Sequence, residues 1–472
     1  MARYTYDRLS PAAARLLGDE SSRRLGHAGA ALIFAAGPLA YSHGGVDFAA
    51  LRGAIASRIA LAPDYHRRLR RVPLENHPVW VDDHEFRLDY HVRHTSLPRP
   101  GSLQQLRRVA ARIQAQRLDR SRPLWEYWIV EGLEGGRFAL LTKTHFALIE
   151  DSGVDALQLL LTPDADAAYE STEPFSARPA PSGLELFYDE VVSQARLPRR
   201  GWQLLREAFR PSREGPRQLR EHLDAAARLL GYTLASRHDL PMSGPAGPHR
   251  IVDYVKLPLE VTDRVRRVLG GSLLDVVVTT LAGAVGRYLS HHYVNPATLE
   301  FRVSTPVMLS DDPSGGSIGE WVFELPIWES DASKRFKRVR EILRAEHESV
   351  PAARSRDLFP VDDLAQSGMP AAAARVMAEP SLVPVRIAVL PGPPQPLYLR
   401  GAKLEECFSH IPLSGRAGLG VSVFVYEGEL CWGLNADYDR MPDLSRFSEA
   451  LRRSFRELER AADERPALVR VS

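Results

Sequence analysis

The stretch from residue 137 to residue 161 constrains this chain most, because a strand must end and a helix must begin within it. RFALLTKTH (137–145) reads as a strand, and SGVDALQLLL (152–161) has apolar residues at helical spacing. Between them runs His145-Phe146-Ala147-Leu148-Ile149-Glu150-Asp151. Similar alternation recurs on both sides, in the strand-like 29–35 and 125–130 and the helical 48–59 and 103–113, so the first part of the chain is α/β.

With 472 residues the chain exceeds one ordinary core, and two substantial domains are the simplest account. A net charge of +2 gives nucleic acid nothing global to bind. No signal-like apolar stretch follows Met1, and Cys407 and Cys431 form neither a disulfide framework nor a metal-site spacing, so a reducing, cytoplasmic setting is expected and no metal. No run of about 18 apolar residues reads as a membrane span. One local imbalance stands out. Between Arg196 and Arg220 arginines outnumber glutamates eight to two, with Trp202, Leu204, Leu205, Phe209 and Leu219 interleaved. This is either a solvated linker helix or a basic amphipathic surface for anionic lipid, acyl-CoA phosphates or an acidic carrier protein.

A Pro-, Ala- and acid-rich stretch from Thr162 marks the end of a first domain, and turn-rich PMSGPAGPHR (241–250) opens a last one. The expected division is 1–165, a linker 166–245 holding the basic segment, and 246–472. The last part is again α/β, with strands near 251–257, 300–308, 385–390, 421–426 and 429–436. Its helix LDVVVTTLAGAVGRYL (274–289) is apolar on several faces and should be buried.

Several longer stretches together carry a family resemblance: LAPDYHRRLRRVPL (61–74), LDYHVRHTSLPRPGSLQQL (88–106), LDRSRPLWEYWIVEGLEGGRFALLTKTH (118–145), LGGSLLDVVV (269–278), LPGPPQPLYLRGAKL (390–404) and LNADYDRMPDL (434–444). Through them the chain resembles the bacterial wax ester synthase/diacylglycerol acyltransferase family of the condensation-domain superfamily. The resemblance implies two chloramphenicol-acetyltransferase-like α/β domains enclosing a central tunnel. It also implies an acyl thioester (acyl-CoA or acyl carrier) as co-substrate, no bound cofactor, and a hydrophobic alcohol or amine acceptor. The family motif is His-His-x-x-x-Asp-Gly, whose second histidine takes the acceptor's proton.

Laid on this chain without gaps, the first histidine is His145, the base is Phe146, the aspartate is Glu150 and the glycine is Asp151. Phenylalanine cannot act as a base, and a well-placed base contributes about 10²–10⁴ in rate. His145 follows strand alternation and should face away from the cleft unless the backbone is distorted. A one-residue gap would instead align Asp151 with the aspartate and Gly153 with the glycine. In the later half, Leu274-Asp275-Val276-Val277 stands where relatives carry Asn-Asp-Val-Val, and Ala388-Val389-Leu390-Pro391-Gly392-Pro393 where they carry Ser-Asn-Val-Pro-Gly-Pro. Leu274, Asp275, His410 and Ser414 are expected along the tunnel. His410 competes with an ordinary loop histidine, His91 and His94 are more ordinary still, and His291-His292 reads as a helix end.

Three functions are open: acyl transfer without the motif histidine; a repurposed tunnel performing cyclisation, elimination or another natural-product step; or a non-catalytic binder of lipid, thioester or a partner such as an acyl carrier protein or a membrane surface.

Overall fold

The computed structural model describes residues 5–41, 45–72, 78–169, 175–186, 188, 240–308, 318–349, 383–413 and 415–464. The basic segment 196–220 and Ser414 lie outside them.

The chain runs β1 (Asp7–Arg8), α1 (Pro11–Gly18), β2 (His27–Ala35), α2 (Phe48–Ala60), β3 (Arg67–Arg71), β4 (Pro78–Asp82), α3 (Leu88–His91), β5 (Val92–Ser96), α4 (Leu103–Gln114), β6 (Trp125–Leu133), β7 (Arg137–His145), α5 (Phe146–Ser152) and α6 (Ala156–Leu160). After the connector come β8 (Arg250–Pro258), α7 (Leu259–Leu269), α8 (Leu273–His291), β9 (Arg302–Met308), β10 (Ile318–Glu324), α9 (Ala332–Ser349), β11 (Val385–Pro391), β12 (Tyr398–Leu399), β13 (Ala402–His410), β14 (Leu419–Tyr426), β15 (Glu429–Asp437) and α10 (Leu444–Asp463).

Two six-stranded mixed sheets dominate. The first is ordered β12-β13-β2-β7-β6-β5 and the second β10-β9-β11-β14-β15-β8, with a small β1-β4-β3 sheet beside them. Each large sheet has its own apolar core. The second is organised around α8, whose residues 274–286 are all buried. This helix is long and apolar enough to cross a membrane by length and composition, but α9 and α10 pack against it. Its apolarity on several faces is that of a helix buried between layers.

Two strands depart from the division expected by sequence. Residues 398–410 lie in the last segment of the chain, yet β13 pairs antiparallel with β2, Cys407 opposite Leu32 and His410 opposite Gly29. The first sheet is therefore completed by the second half of the chain. Side chains of β14 and β15 fix the crossing: Ser422 Oγ donates to the Ser409 carbonyl at 2.5 Å and Asn435 Nδ2 to that of Ile411 at 2.7 Å. Across the seam Arg107 pairs with Asp253 at 2.6 Å and Lys256 with Glu406 at 2.8 Å. The two sheets are thus tied by the crossing segment, by side-chain hydrogen bonds to it and by ion pairs.

Candidate functional site

The centre of the first sheet is β7, and its pairings decide what faces what. Thr142 and Thr144 lie opposite Ala30 and Ala28 of β2, whereas Lys143 and His145 lie opposite Gly29 and His27. Successive residues alternate between faces, so the two threonines share one side of the sheet and Lys143 with His145 the other. Lys143 is fully buried there, and burial draws its ammonium down to about 8 against the opposing pull of Glu126 and Glu20.

His145 ends β7 in an extended conformation and caps α5, its Nδ1 accepting the backbone N–H of Ala147 at 3.0 Å. With Nδ1 accepting, the neutral ring carries its proton on Nε2. That atom lies 3.9 Å from Glu20 Oε2, and Arg120 holds the same carboxylate oxygen at 2.6 Å. Gly26 is required beside the ring, since a Cβ there would lie 2.7 Å from Nε2. Burial first, then Arg120 and Arg117, pushes the imidazole down to about 4. His145 is consequently a neutral cap whose one lone pair is already used. It offers no general base.

Phe146 begins α5 with no exposed surface, packed in the first core. One helix was expected over 152–161; instead a separate helix, α5, begins at 146 behind the cap and ends before Gly153, and the expected helix appears only as α6, from 156. Glu150 and Asp151 are helical, so the glycine position of the motif needs no left-handed backbone here. That conformation falls on Gly153, at φ +72. Asp151 has acquired its own work. Its carboxylate accepts from Trp80 Nε1 at 2.6 Å and from the Ser10 backbone N–H at 3.3 Å, clamping β4 and α1 to α5. Asp151→Ala leaves a buried indole N–H without its acceptor and is expected to cost about 1–3 kcal/mol. Urea unfolding of the variant measures this, and an unchanged midpoint would refute the clamp.

The opposite face of β7 opens on a small cavity of about 40 Å³. From the first half it is lined by Ala28, Ala30, Thr142, Thr144, Ile149 and Asp155, and from the second by Leu390, Ser409 and Phe424. It therefore sits at the seam between the sheets. Among the described residues of this lining Asp155 is the one that is charged. Sequence reading placed it inside the helix 152–161 with no role of its own, whereas it caps α6, accepting from the Gln158 N–H at 2.9 Å. Behind the cavity Tyr65 and Tyr127 are kept protonated chiefly by burial, with the charge of Asp155 acting in the same direction.

The remaining expected residues are placed elsewhere. His410 is the last residue of β13 rather than a loop residue; it is buried, its Nε2 sharing a hydrogen bond with the Tyr254 hydroxyl at 2.9 Å. It faces the side of Lys143, across from Gly29. Asp275 accepts from the backbone N–H of Ser272 at 2.7 Å in the capping box of α8, and Leu274 is buried in the second core, so neither lines the cavity. His91 Nδ1 meets the Trp125 carbonyl at 2.7 Å and its ring stacks on Trp125. His94 pairs with Glu131, and His292 caps α8 beside Asp443.

The wax ester synthase/diacylglycerol acyltransferase catalytic domain matches residues 9–277, and the WS/DGAT C-terminal domain matches residues 314–459. The chain belongs to this family. A Mycobacterium tuberculosis protein provisionally named a diacylglycerol O-acyltransferase is 30% identical over 439 residues, covering 90% of this chain and 85% of the relative. Among solved structures, the wax ester synthase/diacylglycerol acyltransferase of Marinobacter aquaeolei VT8 superposes with a TM-score of 0.65 at 23% identity, over 97% of this chain and all of that one. The starter condensation domain of rhizomide synthetase, a mutant in complex with C8-CoA and Leu-SNAC, superposes with a TM-score of 0.51 at 14% identity over 98% and 95% of the two chains. The two large sheets thus have the fold of paired chloramphenicol-acetyltransferase-like halves. Within the WS/DGAT frame, Val389 points into the second core, whereas its neighbour Leu390 reaches the seam cavity.

Proposed function

We propose that this WS/DGAT-family protein transfers an acyl group from a thioester to a strongly nucleophilic acceptor by holding the two in register, without a histidine base. The observation that carries this reading is the seam cavity. It is walled by both halves and keeps two threonines, a serine and a carboxylate beside the helix on which the family motif falls. A retired site would be expected to fill with apolar side chains, and this one keeps four polar side chains in its wall. Orientation alone can supply about 7–11 kcal/mol of a barrier, which is enough for an acceptor that needs little help losing its proton.

A non-catalytic thioester or lipid binder is the second reading. One observation favours it: about 40 Å³ holds roughly three water-sized groups, room for a reacting centre but not for an acyl chain. The purified chain, supplied with acyl-CoA or acyl-carrier thioesters and a panel of amines and alcohols, separates the two. Acyl transfer requires ester or amide by mass spectrometry together with stoichiometric free thiol. Thioester binding with no product from any acceptor would leave only the binder.

A further inference from the structure

Away from the seam cavity, three helices of the second half gather positive charge around one carboxylate. Glu457 of α10 is reached by Arg287 of α8 at its Oε1, by Arg453 of its own helix at 3.6 Å and by Arg335 of α9 at 3.7 Å. Arg335 is buried, and its guanidinium donates to the carbonyls of Glu329 and Ser330 at 2.8 and 3.2 Å. Its Nε meets no acceptor among the described residues. Gly283 of α8 makes room for the group, since a Cβ there would lie 2.8 Å from Nη2. An arginine stays charged even when buried, and its field is strong where the dielectric is low. A permanent positive charge is thus built in behind Glu457.

In front of it lies a groove of about 510 Å³, lined among the described residues by Arg453, Arg456, Glu457 and Arg460. Residues three and four apart on a helix are neighbours with Cβ atoms about 5–6 Å apart, so the three arginines form one ladder along α10. All three are exposed. A single carboxylate already shared by three guanidiniums cannot also balance Arg456 and Arg460. Guanidinium forks pair with phosphate oxygens two at a time, which makes phosphate the anion this ladder suits best. We propose that the groove is a seat for a phosphate-bearing anion, carried either by a soluble phosphorylated molecule or by a lipid headgroup. It shares no described lining residue with the seam cavity, so binding here stands or falls independently of acyl transfer.

Inorganic pyrophosphate is titrated calorimetrically into the full chain in about 0.15 M sodium chloride, which screens attraction beyond roughly 8 Å. Saturable one-to-one binding is expected, with a Kd below about 1 mM. Arg456→Gln/Arg460→Gln should weaken it at least about tenfold at unchanged Tm, because both side chains are exposed and glutamine is a good helix former. Arg87→Gln/Arg108→Gln, which removes the same charge from exposed positions of the first half, should keep the wild-type Kd. No saturable binding by the wild type, full binding by the first variant, or equal weakening in the second overturns the proposal. Sedimentation with vesicles of equal parts phosphatidylglycerol and phosphatidylcholine separates the two sources. A headgroup is the ligand if the wild type sediments, pyrophosphate releases it and Arg456→Gln/Arg460→Gln stays in solution; a soluble phosphorylated molecule is the ligand if the wild type binds pyrophosphate but not the vesicles.

Discussion

Acidification from pH 7 to pH 4 is expected to unfold this protein cooperatively before the lower limit is reached. Burial draws His66, His91 and His145 down to about 4 and His410 to about 3, from an ordinary 6.5. Each is therefore neutral in the fold. Above pH 6.5 both folded and unfolded chains leave these rings uncharged, and stability is independent of their titration. As the pH falls from 6.5 towards 4, only the unfolded chain takes up protons, so the folded state loses roughly 3 kcal/mol per ring by pH 4. Four such rings together rival the whole stability of an ordinary domain, about 5–15 kcal/mol. Urea midpoints followed by tryptophan fluorescence across this range should fall steeply, and His410→Gln should shallow the slope by about one proton. A midpoint that stays flat down to pH 4 would refute the neutral, buried assignment.

Restoring the family's base at position 146 is expected to weaken the protein rather than awaken it. Phe146 has no exposed surface and does not appear in the cavity wall, which α5 reaches one turn later through Ile149. Phe146→His removes ring volume from a packed core and buries an imidazole with no partner provided for it. The expected cost is about 3–5 kcal/mol. Because the new ring starts from a core position rather than the cavity, acyl transfer should rise less than tenfold, against the 10²–10⁴ that a positioned base provides. Chemical denaturation and initial rates on the same preparation measure both. A gain of a hundredfold or more at unchanged stability would mean that position 146 still commands the site.

Much of this arrangement was legible in the chain itself. The strand ending at His145, the helices 48–59 and 103–113 and the buried helix 274–289 follow from periodicity, because each is decided by its own neighbours. The family resemblance supplied the paired halves. What escaped was set by distant partners. Nothing local in residues 402–410 says that they pair with β2 at the other end of the chain, so His410 read as a loop residue and the boundary at 246 divided a sheet that is continuous. The extra helix α5 depended on His145 turning its ring back onto Ala147, which alternation alone does not reveal. Asp155 was overlooked because it fell inside the helix expected over 152–161, whereas it caps the helix that forms from 156. One signal was available: Thr142, Lys143, Thr144 and His145 put polar groups on both faces of a central strand, where apolar residues are the rule.

The most direct measurement is product analysis of the unaltered chain given one acyl thioester with equal concentrations of a short primary amine and the matching alcohol. Amide is expected as the main product, formed with equimolar free thiol and at a rate that Phe146→His does not improve tenfold. Thioester left intact by the wild type but consumed by Phe146→His would contradict acyl transfer without the motif histidine.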